Sequence, residues 1–312
     1  MNHALISALW YLIRVIPCIA AGIFLVNIVE NLGLTRKFSW LARPLMRFGH
    51  LSDGCGISFL TCFGSPSAAN AMLMNLYNKG TIGKRELTVA VLSNSFPMIV
   101  MHWRSMLPVI LPLLGRVGLF YFGILVLVGF IKTFFVLVLG RFILQKKEYL
   151  DDETKIPVET FAFWNLVKRS VFQSFPLMKR ILFITVPTTF LVFFLVEKGF
   201  FDMLGAHLKG ITKIFPVPPE GLSIVAAWFG HHVAAYTAAG NLLATGILNS
   251  KGVILSLIVG EVLTIPISTF RWSAPYYIGV FGGKLGMQLM LLSTGVRAFF
   301  TIGMIFALYF LW

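Results

Sequence analysis

Between Leu119 and Leu139 the chain reads LFYFGILVLVGFIKTFFVLVL, 21 residues with one charged side chain, Lys132. About 20 predominantly apolar residues cross a bilayer core as a helix, so a run of this kind restricts the chain to folds that sit in lipid. Ile181 to Val196 and Met287 to Trp312 approach or reach the same length. Hydrophobic residues make up 57% of the 312 and charged residues 12%, about half the charged share of a soluble domain. The period-2 alternation of a barrel strand is missing. The expected fold is all-α: a polytopic helical membrane protein.

The formal net charge is +14, but no basic helix, stacking motif or zinc-finger spacing accompanies it, so nucleic acid is not an expected partner. The charge reads as membrane topology. Cys18, Cys55 and Cys62 form no CxxC pair and lie in or beside apolar segments, where a thiol behaves as a small hydrophobe. GTIGKRE, Gly80 to Glu86, is a decoy for a phosphate loop: the motif's first glycine would fall on Asn78, and Arg85 stands where Ser or Thr belongs. The N-terminal MNHALISALWYLIRVIPC lacks a cationic leader and a small-residue cleavage site, and is expected to be the first span.

The chain is written twice. At an offset of 166, FGSPSAAN (63 to 70) lies on FGHHVAAY (229 to 236) and NLYNKGTI (75 to 82) on NLLATGIL (241 to 248). At 167, RSMLP (104 to 108) falls on RWSAP (271 to 275); at 168, Gly118 meets Gly286. Recurrence of FG, AA, NL, Gly, Arg and Pro in one order marks an internal duplication. The expected units are residues 1–144 and 173–312, joined by the charged linker 145–172 that contains QKKEYLDDETKIPVE. No separate catalytic domain is visible, and no enzymatic activity is expected.

Positive charge collects on short cytoplasmic loops and so reports orientation. If each FG break is the tip of a re-entrant hairpin, entered along 54–63 and left along 67–77 in the first copy, each copy crosses three times and the second is inverted. Sixteen of the 26 cations then fall inside and five outside. Full crossing by the broken segments would make the copies parallel and weaken that bias. The expected protein is therefore integral to the cell (inner) membrane, with both termini outside and the linker cytoplasmic. Its long first spans cover about 4–30 and 176–198, ending at Glu30 and Glu197, which read as interface anchors.

Unpaired backbone at membrane depth persists only where protein or a water-filled cavity receives it. Inverted repeats with broken helices place solute between the breaks, near free helix N-termini. In the first copy Gly64 lets the chain turn, Ser65 caps the exit helix, Pro66 occupies its first turn, and Ser67 and Asn70 follow. In the second, Gly230, His231 and His232 form the tip, with Tyr236 at the position of Asn70. The histidines either serve a ligand or proton, or cap backbone. Asn94 and Ser95 match Gly260 and Glu261, and an intramembrane carboxylate is a functional candidate by default. The alternative for Glu261 is an ion pair with Arg271. Arg104 and Arg271 either bind an anion or cap a broken span by snorkelling.

The segments FGSPSAANAMLMNLYNKGTIGKRELTVAVLSNSFP and FGHHVAAYTAAGNLLATGILNSKGVILSLIVGEVLTIP resemble the nucleoside-recognition, or Gate, domain superfamily. Its members include the membrane part of bacterial ferrous-iron permeases, spore-maturation membrane proteins and, more remotely, concentrative nucleoside transporters. The resemblance implies two inverted Gate-like repeats, each with a re-entrant hairpin, and a midplane substrate site. The leading expectation is a secondary transporter of a small polar solute, nucleoside-like or another metabolite, coupled to a proton or cation through Glu261 or a histidine. It needs no cofactor, contacts the lipid bilayer, and a homo-oligomer is compatible with it. One alternative is a divalent-metal permease using His231, His232 and Glu261, with Cys62, Met72 and Met74 nearby. The other is a non-transporting membrane assembly partner, which predicts a dry centre with every polar group paired.

Overall fold

The computed structural model describes residues 39–145 and 214–312 continuously, and scattered positions between 6 and 24 and between 164 and 198. The spans expected at 4–30 and 176–198, with Cys18, Glu30, Glu197 and the linker 145–172, lie wholly or largely outside the described residues, as does the side chain of Arg271. Among the described residues all regular structure is helical.

The first series of elements is α1 (Ser39–Phe48), α2 (Asp53–Cys62), α3 (Pro66–Asn78), α4 (Lys84–Ser93), α5 (Ser95–Met101), α6 (Trp103–Leu114) and α7 (Arg116–Ile143). The second runs through a 3₁₀ turn, Pro219–Gly221, into α8 (Leu222–Gly230), α9 (His232–Ala244), α10 (Ser250–Ser268), a π turn at Thr269–Ser273, α11 (Ala274–Phe281) and α12 (Gly283–Leu311). The order is the same in both: a short helical hairpin, a span that kinks after a proline, a half-length helix, then one long helix. At 1.5 Å per residue the hairpin arms are about 14–20 Å long, too short for a bilayer core of about 30 Å. By the same rise α7 and α12 reach about 42 Å and suffice to cross.

The kinks follow from proline chemistry. Pro97 in α5 and Pro266 in α10 cannot donate an N–H to the preceding turn. Downstream of Pro97 the axis bends by 43° between Met101 and Trp103. Downstream of Pro266 the helix opens into the π turn. Arg104 and Arg271, matched in sequence, sit in the first turn of α6 and inside that π turn, so both lie at the kinks.

Tight turns precede both long helices, and both need glycine. Gly115 (φ 56°) and Gly282 (φ 78°) occupy the left-handed region. Just beyond, a Cβ on Gly118 would stand 2.8 Å from the Ile110 carbonyl oxygen, and one on Gly286 would collide with the Tyr277 carbonyl. Ile110 and Tyr277 are themselves a matched pair at offset 167, so the same close approach of backbone to backbone occurs in each series.

The two long helices run antiparallel against each other: Phe120 packs edge-on to Trp312 at 5.1 Å between centroids and Phe135 to Phe300 at 5.3 Å. Lys84 donates to Gln288 Oε1 (2.9 Å), near the start of α12, and Lys251 donates to the Tyr309 carbonyl (3.2 Å), near its end. Lys84 and Lys251 therefore lie at opposite ends of one membrane-length helix, about 32 Å apart along its axis. The hairpins are exchanged between the series. α3 packs on α11, and α9 packs on α6. Two apolar cores result: one joins the second hairpin and α10 to α6 and the first half of α7, the other joins the first hairpin and α4 to α11 and α12.

Candidate functional site

At the first tip, Ser65 adopts an extended backbone (φ −151°, ψ 100°) and its hydroxyl accepts from the Ala68 N–H at 3.2 Å, with Pro66 opening α3. The expected cap is present. Gly64 is not in the left-handed region, and a Cβ there would meet the Thr61 carbonyl at an ordinary 3.7 Å. The turn at this tip does not depend on glycine, contrary to the expectation from sequence; the chain reverses through Thr61, whose carbonyl accepts from both Gly64 and Ser65 N–H. Ser65 and Ser67 are exposed.

Behind this tip, Asn70 is fully buried and committed on both sides. Its Nδ2 donates to the Tyr276 hydroxyl (2.9 Å) and its Oδ1 accepts from Asn94 Nδ2 (3.2 Å). Tyr276 in turn donates to the Pro66 carbonyl at 3.2 Å, so α11 of the second series ties down the exit helix of the first hairpin. Asn94 Nδ2 also lies 3.5 Å from Ser58 Oγ, and Cys62 Sγ donates to the Asn94 carbonyl at 3.5 Å. Ser95 Oγ, at the start of α5, donates back to the Leu92 carbonyl in the last turn of α4. Of the polar residues predicted around this hairpin, Asn70 and Asn94 are brought together and pair with one another, whereas Ser65, Ser67 and Ser95 do not join that pair.

The second tip is built differently. His231 has an extended backbone (φ −163°, ψ 146°) and its Nδ1 accepts from the Val233 N–H at 3.2 Å: it is the N-cap of α9. Because it stands outside the helix, its ring lies only 3.9 Å from that of His232. The angular separation expected of consecutive helical residues does not apply here. Beside Gly230 there is open space within 4 Å of a Cβ position.

Behind this tip an aromatic wall forms. Trp228 contacts Tyr236 (5.9 Å) and His232 (6.5 Å), His232 contacts Tyr236 (5.8 Å), and Tyr236 meets Tyr121 of α7 at 6.1 Å. Trp228 reaches this position because α10 presents Gly260: a Cβ there would collide with the indole Cδ1 and lie 2.8 Å from Cγ. Glu261 follows immediately, interacting with Tyr121 and Tyr236 from α10 and within electrostatic reach of Arg297 and His102. Three buried polar atoms of these residues make no well-formed hydrogen bond among the described residues, Glu261 Oε2, the Tyr121 hydroxyl and Trp228 Nε1, although the Tyr121 hydroxyl stands close enough to Glu261 and Tyr236 to interact with both. A buried polar group left unpaired costs about 1–3 kcal/mol, which makes this cluster the candidate site.

Sequence patterns do not single out Tyr121, Trp228 or Tyr276, because an aromatic ring in an apolar run is indistinguishable from lipid-facing packing until its neighbours are known. Lys132 and Arg297 stand out there only as charges inside apolar segments. Lys132, 2% exposed, donates to the Ser293 carbonyl (2.9 Å) and hydroxyl (3.1 Å). Among the described residues no three His, Cys, Asp or Glu side chains converge as metal ligands.

The family model for nucleoside recognition (Gate) matches residues 12–116. The uncharacterized protein MJ1556 of Methanocaldococcus jannaschii is 34% identical over 92% of this chain and 91% of its own length. MJ0871 and MJ0880, uncharacterized proteins of the same organism, are 28% and 24% identical over 95% and 96% of this chain and 92% and 97% of theirs. No solved structure gives a significant match. With a hairpin–span–long-helix unit read from its residues, the family's model on its first third and a full-length relative at this identity, the chain belongs to the nucleoside-recognition (Gate) family of integral membrane proteins.

Proposed function

We propose that the chain is a secondary transporter of a small polar solute, with its site between the two halves at the Trp228–Tyr236–Tyr121–Glu261 cluster. The observation that carries this reading is the set of three buried polar atoms without a well-formed hydrogen bond, on residues that meet where α7 of the first half contacts α8, α9 and α10 of the second. A group whose only role is to hold a membrane assembly together would have its buried polar atoms paired, as those around Asn70 are. A metal permease would call on His231, which is spent on capping α9, and on Cys62, which is engaged at the other hairpin.

The inverted arrangement is supported by the repeat-matched helices α7 and α12 running antiparallel, as a twofold axis in the membrane plane demands of equivalent helices. Placing Lys84 and Lys251 at opposite ends of α12 agrees with the cytoplasmic position assigned to Lys84 and the external one to Lys251 by the distribution of positive charge. Glu261 is the group assigned to exchange a proton or bind a coupling cation, and the solute undergoes no covalent change. Purified protein in liposomes, offered nucleosides, amino acids and organic anions under a pH gradient, takes one of them up saturably. Replacing Glu261→Gln lowers that uptake at least tenfold. Uptake that survives Glu261→Gln together with His232→Ala removes this site from the pathway.

A further inference from the structure

The charge at the centre of the molecule is arranged in two poles. Lys132 stands midway along α7, and its ammonium group bonds to Ser293. Ser293 is four residues before Arg297 on α12, which places the two on one face of that helix, a turn apart. Two basic side chains are thus brought together at mid-helix depth by tertiary contact, where a single charge is already costly. Among the described residues the Arg297 side chain has neither a hydrogen bond nor an ion pair, although Glu261 on the packed neighbour α10 lies within its electrostatic reach. Glu261 Oε2 is likewise buried and unpartnered.

Opposite charges this deep gain more from pairing than they would in water. Here a carboxyl group and a guanidinium lie within electrostatic reach of each other without an ion pair between them, and the carboxyl group has the aromatic residues Tyr121 and Tyr236 beside it, a type of ring that attracts a cation. The array has two basic groups, Lys132 and Arg297, and one acidic group, Glu261, so it also has a place for a further negative group. Of the other titratable groups that reach Glu261, His102 is exposed at the α5–α6 kink and adds no second anion, and the remaining two are the hydroxyls of Tyr121 and Tyr236.

We infer that the solute of the site proposed above is zwitterionic: its amine pairs with Glu261 against the Tyr121, Trp228 and Tyr236 rings, and its carboxylate or equivalent anion pairs with Arg297 and Lys132. This rests on the transporter reading for the location of the site, and adds to it the class of solute.

The test is equilibrium binding and thermal shift on the full chain in nanodiscs with four groups of probes: L-α-amino acids and glycine betaine, ethylamine, acetate, and the neutral nucleoside uridine. A zwitterion raises the melting temperature and binds at least tenfold more tightly than ethylamine, acetate or uridine. Glu261→Gln and Arg297→Gln each weaken it at least tenfold, whereas Arg297→Lys, which keeps a basic group at this position, retains part of the affinity. The inference is overturned if uridine or a singly charged probe binds as well as any zwitterion, if Arg297→Gln leaves zwitterion affinity unchanged, or if liposomes take up some other solute while no zwitterion binds. In each of those cases the transporter reading stands. If no probe binds and liposomes take up nothing, that reading falls and takes this one with it.

Discussion

Gly260 is where the fold and the site depend on the same atom. The Trp228 indole lies on α10 because residue 260 has no side chain, and that ring is one wall of the cluster around Glu261. In Gly260→Ala the new methyl would collide with Cδ1 and stand 2.8 Å from Cγ and 3.1 Å from Nε1. Carbon pairs settle at about 3.5–4.0 Å, so the ring must retreat by roughly 1 Å. Cδ1 and Cγ belong to the base of a rigid ring close to its own backbone, so rotation of a flexible tip cannot relieve the clash. Overpacking of this kind costs about 1–3 kcal/mol, against a gain of at most about 1 kcal/mol from replacing glycine by alanine inside a helix. The net expectation is about 1–2 kcal/mol of destabilisation, a fall of about 2–5 °C in apparent melting temperature for a chain of this size. Solute uptake falls with it, because the indole leaves Tyr236 and His232. The assay is a double-mutant cycle scored by thermal unfolding in detergent, comparing Gly260→Ala in the native and Trp228→Ala backgrounds, with Gly279→Ala as a control in a helix with open space around it. With Trp228 removed, Gly260→Ala should cost nothing. If its cost is the same in both backgrounds, the two positions are additive and the packing argument is wrong.

Other consequences are open to measurement. Tyr276→Phe removes the hydroxyl that bonds both Asn70 and the Pro66 carbonyl; about 1–3 kcal/mol is lost, and crosslinking between the first hairpin and α11 should weaken, whereas unchanged stability would show that the tie is not made. His231→Ala leaves the first turn of α9 uncapped and costs about 0.5–2 kcal/mol, while His231→Asn restores most of it, since asparagine caps as well as serine; equal loss in both variants would mean that the imidazole does something other than cap. Single cysteines at Lys84 and Lys251, in a background lacking the native thiols, should react with impermeant maleimide from opposite faces of sealed membranes. Labelling of both from one side would end the inverted reading. Gly286→Ala should be more harmful than Gly118→Ala, because the carbonyl it meets stands closer, and protein yield in membranes is a sufficient readout.

Periodicity and length alone declared the solvent of this protein: runs such as 119–139 have no stable place in water, and the fold is helical because lipid offers backbone groups no other partner. The duplication, the two breaks and the capping role of Ser65 were equally open to inspection, since each depends on neighbours within a turn of the chain. Gly64 is the converse case: its turn does not need glycine, since that need depends on φ, which residue type does not dictate. What the chain's order could not reveal was which polar residues would satisfy one another. Asn70 and Tyr236 hold the same position in the repeat, yet Asn70 closes a network with Asn94 and Tyr276, while Tyr236 joins a cluster in which three buried polar atoms lack a well-formed hydrogen bond. The difference comes from the exchange of hairpins between halves: it delivers Tyr276 to the first and Tyr121 to the second over separations of more than a hundred residues. Local sequence sets what each helix is, and long-range packing decides which buried groups are left free for a ligand.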